Sequence, residues 1–280
     1  MKFVVSFTTS PERISKIKPM VDSILDQGVK PDLFILNIPE IFPRSGEKYI
    51  IPDFVRSNAI VNVIKKDCGP ATKIVPTIDY LKSIDYEIKD TYIIYLDDDI
   101  CYLPKMIDVY KFLLTLDKKE RVLCCGGFRF ALFDDKIKIV AARSHRDSVC
   151  VAEGYASVCV PLSIFKDDFH NYIDKYTLTN DYKACRISDD VILSNYYTSK
   201  NIDISIVNMR GRWSIHDLWE NKSILAYGNM EDALHCGASG TSETNINRYP
   251  MVLKTLKENN ELYTKVYEGT PEMLPFVYNG

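Results

Sequence analysis

The residues best suited to chemistry are three consecutive aspartates, Asp97, Asp98 and Asp99, which directly follow the apolar residues 92–96. Three adjacent carboxylates repel one another, and partial burial adds to that cost. A divalent cation removes the difficulty, because Mg²⁺ and Mn²⁺ prefer oxygen ligands and commonly take one or two carboxylates plus substrate phosphates. In extended chain, residues i and i+2 point the same way, so Asp97 and Asp99 can face one site while Asp98 turns aside. The alternative is a solvated acidic turn ahead of a helix starting near Pro104.

A second acidic pair, Asp189 and Asp190, follows Ser188 and precedes the apolar positions of an amphipathic segment. A carboxylate at this place can act as a general base that takes the proton of a hydroxyl nucleophile. We favour Asp190 over Asp189 for this role. The alternative is capping, because Ser-Asp-Asp is also what a helix N-terminus prefers for hydrogen bonding and for its dipole.

The elements that must position these residues alternate along the chain. Apolar, β-branched runs predict strands at 2–7, 33–38, 60–64 and 92–96, and helical periodicity predicts helices at 11–27, 71–84 and from Pro104. The second half predicts strands at 137–142, 155–160 and 203–207 and helices at 161–173, 189–199 and 248–260. This rhythm predicts an α/β fold with a Rossmann-related, mainly parallel central sheet flanked by helices. In such sheets ligands bind outside the carboxyl ends of the strands, where the acidic triplet lies.

Composition narrows the kinds of partner. The 280 residues carry 35 Lys and Arg against 38 Asp and Glu, a net charge of −3. Such a chain has no overall field to hold nucleic acid or an anionic membrane, so an anionic ligand must be held by a metal or by a few local cations. Two glycine-rich phosphate motifs, GxGxxG and GxxxxGK[ST], are absent, and the pair Gly126-Gly127 is expected to form only a tight turn.

Cellular location is also indicated by the residue pattern. The eight cysteines include no CxxC pair and several lie in apolar runs, which indicates buried thiols in a reducing compartment. The first eight residues are interrupted by polar side chains too early for a signal peptide, and no apolar run reaches the length of a membrane span. We therefore expect a soluble cytoplasmic protein with no transmembrane segment.

Four segments in order along the chain resemble the GT-A glycosyltransferases, especially the small cytosolic enzymes of bacteria and large DNA viruses. They are Ser6-Phe7-Thr8-Thr9-Ser10-Pro11-Glu12-Arg13, Gly69-Pro70-Ala71-Thr72-Lys73, Leu96-Asp97-Asp98-Asp99-Ile100, and Asp232-Ala233-Leu234-His235 continuing to Asn247-Arg248-Tyr249. The third contains the family's Asp-x-Asp (DXD) motif. The resemblance implies a GT-A-like fold in a single domain over 1–280, with a nucleotide-sugar donor half at about 1–103 and an acceptor half at about 104–280. A viral origin would place the enzyme in the host cytoplasm.

The resemblance also implies roles for single residues. Asp97 and Asp99 would bind the metal, and a histidine would add a third ligand. His235 is favoured over His216, because a glycine-rich stretch follows it. His145 and His170 are expected to be surface residues. The residues implied in contact with the donor are Thr8, Thr9, Arg13, Lys73, Asp97, Asp98 and Arg248.

The function implied is transfer of a sugar from a nucleotide-sugar to a hydroxyl of a glycan or other acceptor, with Mn²⁺ or Mg²⁺ as cofactor. A UDP-sugar is the expected donor. Residues 153–157 are expected to line the acceptor site, with Gly154 allowing close approach. If the reaction retains configuration, the base role of Asp189 or Asp190 disappears. The alternatives are a metal-dependent hydrolase of phosphate esters or glycosides, and a non-catalytic protein that binds nucleotides or sugars on the same scaffold.

Overall fold

The computed structural model describes residues 1–116, 119–141, 149–178, 182–207 and 244–276. Residues 274–276 are described by their backbone alone. Strands and helices alternate through the first half, as predicted. The strands are β1 (Lys2–Phe7), β2 (Leu33–Pro39), β3 (Ile60–Ile64), β4 (Thr91–Tyr95), β5 (Arg121–Cys124), β6 (Gly127–Phe133), β7 (Lys136–Ala141), β8 (Val151–Ala152), β9 (Val158–Pro161), β10 (Asp203–Ile206) and β11 (Val266–Glu268).

The helices fall into two kinds, α-helices and short 3₁₀ turns. The α-helices are α1 (Lys18–Leu25), α2 (Asp53–Arg56), α3 (Val75–Ser83), α4 (Met106–Leu116), α5 (Phe169–Thr177), α6 (Lys183–Arg186), α7 (Asp189–Ser199) and α8 (Asn245–Glu258). The 3₁₀ turns span Gly69–Lys73, Gly154–Ala156, Leu162–Ile164 and Pro271–Phe276.

The main sheet contains seven of the described strands in the order β10-β5-β9-β4-β1-β2-β3. Each neighbouring pair is parallel except β4 with β9 and β5 with β9. Six strands therefore end at the same edge of the sheet, and β9, which runs the other way, begins there. This strand order confirms the prediction of an α/β fold with a mainly parallel sheet. A second sheet joins β11, β6 and β7, with β8 paired to β6.

The two faces of the main sheet are covered by separate apolar clusters. On β1, Val5 packs with residues of α1 and α4, while Val4 packs with residues of α3 and α7. The neighbouring strand β4 divides in the same way between Ile94 and Ile93. Successive side chains of a strand point to opposite faces, so this division follows directly from the continuous apolar runs of the sequence.

The helix predicted at 11–27 is shorter than expected and begins at Lys18, with Pro19 in its first turn. Residues 11–16 form turns instead, and the backbone N–H of Arg13 donates to the carbonyl of Ser10. The prediction was wrong because the hydroxyl of Ser10 binds Glu12 rather than capping a helix. These turns leave the Arg13 side chain free to reach the end of β4.

Other differences concern strands that were not predicted or that begin later than predicted. Strands β5 and β6 were not predicted, because runs of four to seven apolar residues do not distinguish strand from buried helix. The strand predicted at 155–160 begins only at Val158, after the 3₁₀ turn Gly154–Ala156. Within the described residues, the helices are all too short or too polar to cross a membrane.

Candidate functional site

Polar residues gather at the edge where the six parallel strands end. Thr8 and Thr9 follow β1, the acidic triplet follows β4, and the residues before β9 return to the same edge. The chain turns at Asp98 and Asp99, so the alternation of an extended strand does not continue through the triplet. As a result the three carboxylates meet two different cations.

The first group of residues, which we call the Arg13 cluster, comprises Thr9, Arg13, Asp98 and Asp99. One guanidinium nitrogen of Arg13, Nη2, lies 2.5 Å from Oδ1 of Asp98 and 2.8 Å from Oδ2 of Asp99. The hydroxyl of Thr9 donates to the other oxygen of Asp98 at 2.5 Å. Asp98 is buried, whereas the Arg13 side chain is 34% exposed. The cluster therefore holds Asp98 inward and leaves its cation at the solvent boundary.

The pKa values in the Arg13 cluster reflect burial. Burial raises the pKa of Asp98 to about 6, even though Arg13 and the Thr9 hydroxyl favour its charged form. Burial also raises the pKa of Asp99, and the nearby Asp97 carboxylate raises it further, against the effect of Arg13. Asp97 and Asp99 are thus close enough to affect one another.

The second group, the Lys73 cluster, comprises Lys73, Asp97, Gly154, Asp189 and Asp190. The Lys73 ammonium lies 2.8 Å from Oδ1 of Asp97 and 3.1 Å from Oδ2 of Asp189. Its side chain is only 5% exposed. Burial alone would lower the pKa of Lys73, but the carboxylates of Asp189, Asp97 and Asp190 raise it well above its ordinary value.

Lys73 is held at this place by its backbone. It ends the 3₁₀ turn Gly69–Lys73, which opens with Gly69 at a φ of +62° and so needs the left-handed freedom of glycine. The Ser6 hydroxyl on β1 donates to the Lys73 carbonyl at 2.5 Å. The amide of Asn37 on β2 donates to that hydroxyl at 3.0 Å and to the hydroxyl of Thr77 on α3 at 2.7 Å. This buried network fixes the start of the lysine side chain.

Gly154 is the glycine that this cluster requires. A Cβ at position 154 would lie 2.5 Å from the Lys73 ammonium and 3.2 Å from an Asp190 carboxylate oxygen. The backbone N–H of Gly154 donates to Oδ1 of Asp190 at 2.9 Å. Gly154 was expected to allow close approach of an acceptor; the close contacts that the structure shows at this position are with Lys73 and Asp190.

Asp189 and Asp190 occupy the first turn of α7, where the helix dipole favours negative charge. Ser188 does not cap this helix through its side chain. Its hydroxyl instead accepts a hydrogen bond at 3.0 Å from Nε of Arg248, which is buried. Burial and the adjacent Asp189 raise the pKa of Asp190 well above its ordinary value, against the effect of Lys73.

Tyr102 connects the acidic triplet to the turn before β9. Its hydroxyl accepts a hydrogen bond from the backbone N–H of Asp97 at 3.0 Å and donates to the carbonyl of Tyr155 at 2.9 Å. Tyr102 was not among the residues predicted from the sequence. The sequence shows only a tyrosine three residues after Asp99. Without the chain turn at Asp98, that spacing does not tell which way the tyrosine side chain points.

The residues predicted to bind a metal have suitable chemistry. Among the described residues, salt bridges join Asp97, Asp98, Asp99 and Asp189 to Arg13 and Lys73, and Lys73 also lies near Asp190, so five carboxylates share these two cations. Asp97 and Asp99 are partly exposed and supply the hard oxygen ligands that Mg²⁺ and Mn²⁺ prefer. No group of three or more metal-ligating side chains converges within the described residues. Two carboxylates with phosphate oxygens fit this arrangement.

The remaining predicted residues are divided between described and undescribed parts. Thr8 is partly exposed at the end of β1, and His170 lies on α5 with its Nε2 2.9 Å from Asp79, away from the acidic triplet. His145, His216 and His235 lie outside the described residues. Glu153, named only as part of the segment before β9, proves to be a partly exposed residue in the turn that contacts the site.

Comparison with known proteins gives likeness at the level of the fold. No family model and no curated protein matches the sequence. Similar solved structures include S. aureus TarS 1–349 in complex with UDP, at 12% identity and a TM-score of 0.44, and in complex with UDP-GlcNAc, at 12% identity and a TM-score of 0.42. For the UDP complex, the match covers 74% of this chain and 58% of the TarS fragment, so the chain spans less than two thirds of that protein.

A second likeness is to 4-diphosphocytidyl-2C-methyl-D-erythritol synthase, at 10% identity over 83% of this chain and 95% of the synthase, with a TM-score of 0.42. Both likenesses are at the level of the fold. Because the TM-scores lie below 0.5, these likenesses support no assignment of activity.

Proposed function

We propose that the protein is a metal-dependent glycosyltransferase, which moves a sugar from a nucleotide-sugar donor to a hydroxyl acceptor. The observation that carries this proposal is the Lys73 cluster. Through one buried ammonium, the acidic triplet after β4 is joined to the acidic pair at the start of α7. Transfer of a sugar from a diphosphate leaving group to a deprotonated hydroxyl needs a diphosphate-binding group and a base in one site. The contact between the two acidic motifs through Lys73 supports this proposal.

The donor would bind on the β1 side of this edge. Thr8 and Thr9 lie where the base and ribose would sit, and Arg13, at the solvent boundary, offers a planar fork to a carbonyl or phosphate. Lys73 would contribute positive charge beside the diphosphate. Arg248 contacts the hydroxyl of Ser188 just before α7. To contact a donor phosphate, as proposed, its side chain must move away from that hydroxyl.

Asp97 and Asp99 would hold a divalent metal, Mn²⁺ or Mg²⁺, together with phosphate oxygens of the donor, and His235 would add a ligand. When bound, the metal supplies positive charge against the leaving diphosphate. Asp98 would keep Arg13 and Thr9 in place at the donor side. The preferred donor is a UDP-sugar.

For a reaction with inversion, the acceptor oxygen forms a bond to the anomeric carbon while the bond from that carbon to the diphosphate oxygen breaks. The nucleoside diphosphate leaves with the electron pair, and the acceptor proton passes to Asp190 or Asp189. Asp190 is favoured, because Asp189 is already paired with Lys73. The raised pKa of Asp190 suits a group that must receive a proton.

A thermal-shift panel tests the donor. UDP-, GDP-, dTDP- and CMP-sugars are each added with and without Mn²⁺, and we expect one nucleotide to raise the melting temperature only when the metal is present. The Asp99→Ala variant should lose this metal-dependent shift, and Asp174→Ala, an exposed aspartate on α5, should keep it. Equal shifts for Asp99→Ala and the wild-type protein would contradict the metal assignment.

The base is tested separately by turnover. Asp190→Ala should lower the rate of sugar transfer by about 10²- to 10⁴-fold, the usual contribution of general-base catalysis, while nucleotide-sugar binding persists. If both Asp189→Ala and Asp190→Ala retain full transfer, the proposed base is wrong. Release of free sugar without any transfer product would identify a hydrolase, and binding without turnover would identify a non-catalytic binding protein.

A further inference from the structure

The turn before β9 holds its residues rigidly at the edge of the site. The backbone N–H of Glu153 donates to the Gly126 carbonyl at 3.0 Å, and Gly154 is bound to Asp190. At the other end, Ser157 has a φ of +79°, a conformation that costs free energy and persists only where its surroundings impose it. The Tyr110 hydroxyl lies 2.8 Å from the Ser157 hydroxyl, and the backbone N–H of Cys125 donates to the Ser157 carbonyl at 3.2 Å. Both ends of the turn are therefore fixed.

Glu153 is the ionisable residue of this turn whose role the proposed reaction leaves open. Within the described part of the chain, no cation and no hydrogen-bond donor lies against its carboxylate, whereas Asp97, Asp98, Asp99 and Asp189 each face Arg13 or Lys73. Burial raises the pKa of Glu153 to about 7. A carboxyl that is desolvated without a counter-ion lowers the stability of the folded protein. Groups that bind ligands commonly carry this cost.

The surroundings of Glu153 can be named. One of its carboxylate oxygens lies close to Gly126, where a Cβ would come within 3.6 Å of it and within 2.7 Å of the Cβ of Ala156. The ionisable groups near it are Tyr155, whose hydroxyl would lie 3.4 Å from the same Cβ, and Cys124 on β5 and Tyr249 on α8, whose pKa values are raised first by burial and then by nearby charges that include Glu153. The packing at Gly126 therefore leaves no space for a side chain at that position.

The position of Glu153 relative to the rest of the site indicates which substrate it meets. The Arg13 cluster lies at the ends of β1 and β4, whereas Glu153 is bound to Gly126, between β5 and β6, and β5 lies on the opposite side of β9 from β4. The next residue, Gly154, binds the proposed base Asp190. A sugar with one hydroxyl at Asp190 would place neighbouring hydroxyls within reach of Glu153.

We propose that Glu153 is an acceptor-binding residue that accepts a hydrogen bond from a second hydroxyl of a sugar acceptor and thereby selects polyhydroxylated acceptors. This inference rests on the proposed function. Within the described part of the chain the Glu153 carboxylate has no partner, and the inference assigns that place to the substrate. Hydrogen bonds to charged groups contribute about 1.5–3 kcal/mol, so loss of the charge should weaken acceptor binding by about 10- to 100-fold.

The test uses the full chain with the nucleotide-sugar found in the thermal-shift panel and, as acceptor probes, the methyl glycosides of glucose, galactose, mannose and N-acetylglucosamine. Release of nucleoside diphosphate is measured while donor and acceptor concentrations are varied separately. We expect Glu153→Gln to raise the acceptor KM by about 10- to 100-fold and to change the donor KM by less than about twofold. Glu40→Gln, an exposed glutamate after β2, is the matched control and should behave as wild type.

A pH profile separates binding from a merely structural role. In the wild-type protein, kcat/KM for the acceptor should rise with pH as the proposed base Asp190 and Glu153 lose their protons, and Glu153→Gln should lose the part of this rise near pH 7 while keeping the part that belongs to Asp190. An unchanged acceptor KM, an equal rise in donor KM, or a pH profile of Glu153→Gln identical to that of the wild type would overturn the inference. So would a wild-type protein that hydrolyses the donor but uses none of the glycosides. A wild-type protein that binds no nucleotide-sugar would instead overturn the proposed function itself.

Discussion

The two cations of the site differ in burial, and the difference separates their tasks. Arg13 is about one-third exposed and contacts Asp98 and Asp99 from the solvent side, while Lys73 is buried between Asp97 and Asp189. An exposed cation can exchange its partners for those of a ligand at small cost, because water replaces the lost contacts. A buried cation cannot leave without exposing its carboxylates to an uncompensated desolvation penalty. The Arg13 cluster can therefore exchange its ionic contacts for those of a ligand, whereas the Lys73 cluster keeps its contacts.

The largest expected effect is that of removing the buried cation. Lys73→Met leaves Asp97 and Asp189 without their shared partner and should lower the free energy of unfolding by about 3–5 kcal/mol. Chemical denaturation at pH 7 measures this. Arg13→Met should cost less, about 1–2 kcal/mol, because Thr9 still donates to Asp98 and solvent reaches the site. Equal losses in the two variants would show that exposure does not distinguish the clusters.

The control for this comparison is an ion pair at the surface. Lys66 lies 2.9 Å from Asp174, with both side chains about half exposed. Lys66→Met should change the free energy of unfolding by less than about 1 kcal/mol. A loss comparable with that of Lys73→Met would mean that general charge balance, rather than burial, determines the cost.

The next effect tests the close packing around Lys73. A methyl group at position 154 would overlap the ammonium, so Gly154→Ala should lower the free energy of unfolding by about 1–3 kcal/mol and reduce transfer activity. Thermal unfolding and initial rates measure the two effects. Gly46→Ala is the control, since position 46 has open space but a φ of +74°, and it should lose stability without losing activity. A fully active Gly154→Ala would contradict the requirement for this contact.

The sequence predicted much of this arrangement and left specific parts open. The alternation of apolar runs predicted the parallel strands, and Asp97 after β4 and Asp189 at the start of α7 were recognised as parts of acidic motifs. Their meeting at Lys73 was not predicted, because it depends on a 3₁₀ turn and on the polar network of Ser6, Asn37 and Thr77 within the core. Spacing along a chain carries no information about such a tertiary contact.

The direction of β9 was also beyond sequence reasoning. Residues 158–161 are apolar in the manner of the parallel strands, and nothing in that pattern distinguishes an antiparallel strand buried at the centre of the sheet. The helix predicted at 11–27 failed for a related reason. The Ser10 hydroxyl binds Glu12 instead of capping a helix, and the turns that result bring Arg13 to the acidic triplet, so tertiary contacts override the local preference for helix.

A third prediction contrasts a carboxyl that has a cation with one that has none. Since the pKa of Glu153 is raised to about 7, the folded protein binds this proton more tightly than the unfolded chain, and stability falls as pH rises from the ordinary glutamate pKa towards 7. Glu153→Gln removes this loss, so it should exceed the wild-type stability by on the order of 2 kcal/mol at pH 8 and by little at pH 4. Denaturation at the two pH values measures the difference. A variant less stable than wild type at pH 8 would show a hidden partner for Glu153.

The smallest effect concerns the link between the two sides of the site. Tyr102→Phe removes the hydroxyl that joins Asp97 to Tyr155 and should lower the free energy of unfolding by about 1 kcal/mol. Because this link aligns the triplet with the turn before β9, we expect the acceptor KM to rise as well. Tyr263→Phe, which alters a more exposed tyrosine beyond α8, provides the control. An unchanged acceptor KM would separate the turn from the triplet.

The reversal of β9 has a consequence for protein engineering. Since this strand enters the sheet at the edge where its neighbours leave, the residues before it form a short insert, fixed at Gly126 and Ser157, within an otherwise regular scaffold. Such a segment can be varied without changing the strands on either side of it. Positions 153 and 155 can be randomised while Gly154 and the sheet are kept, which makes this turn the natural place to select variants with a new acceptor range.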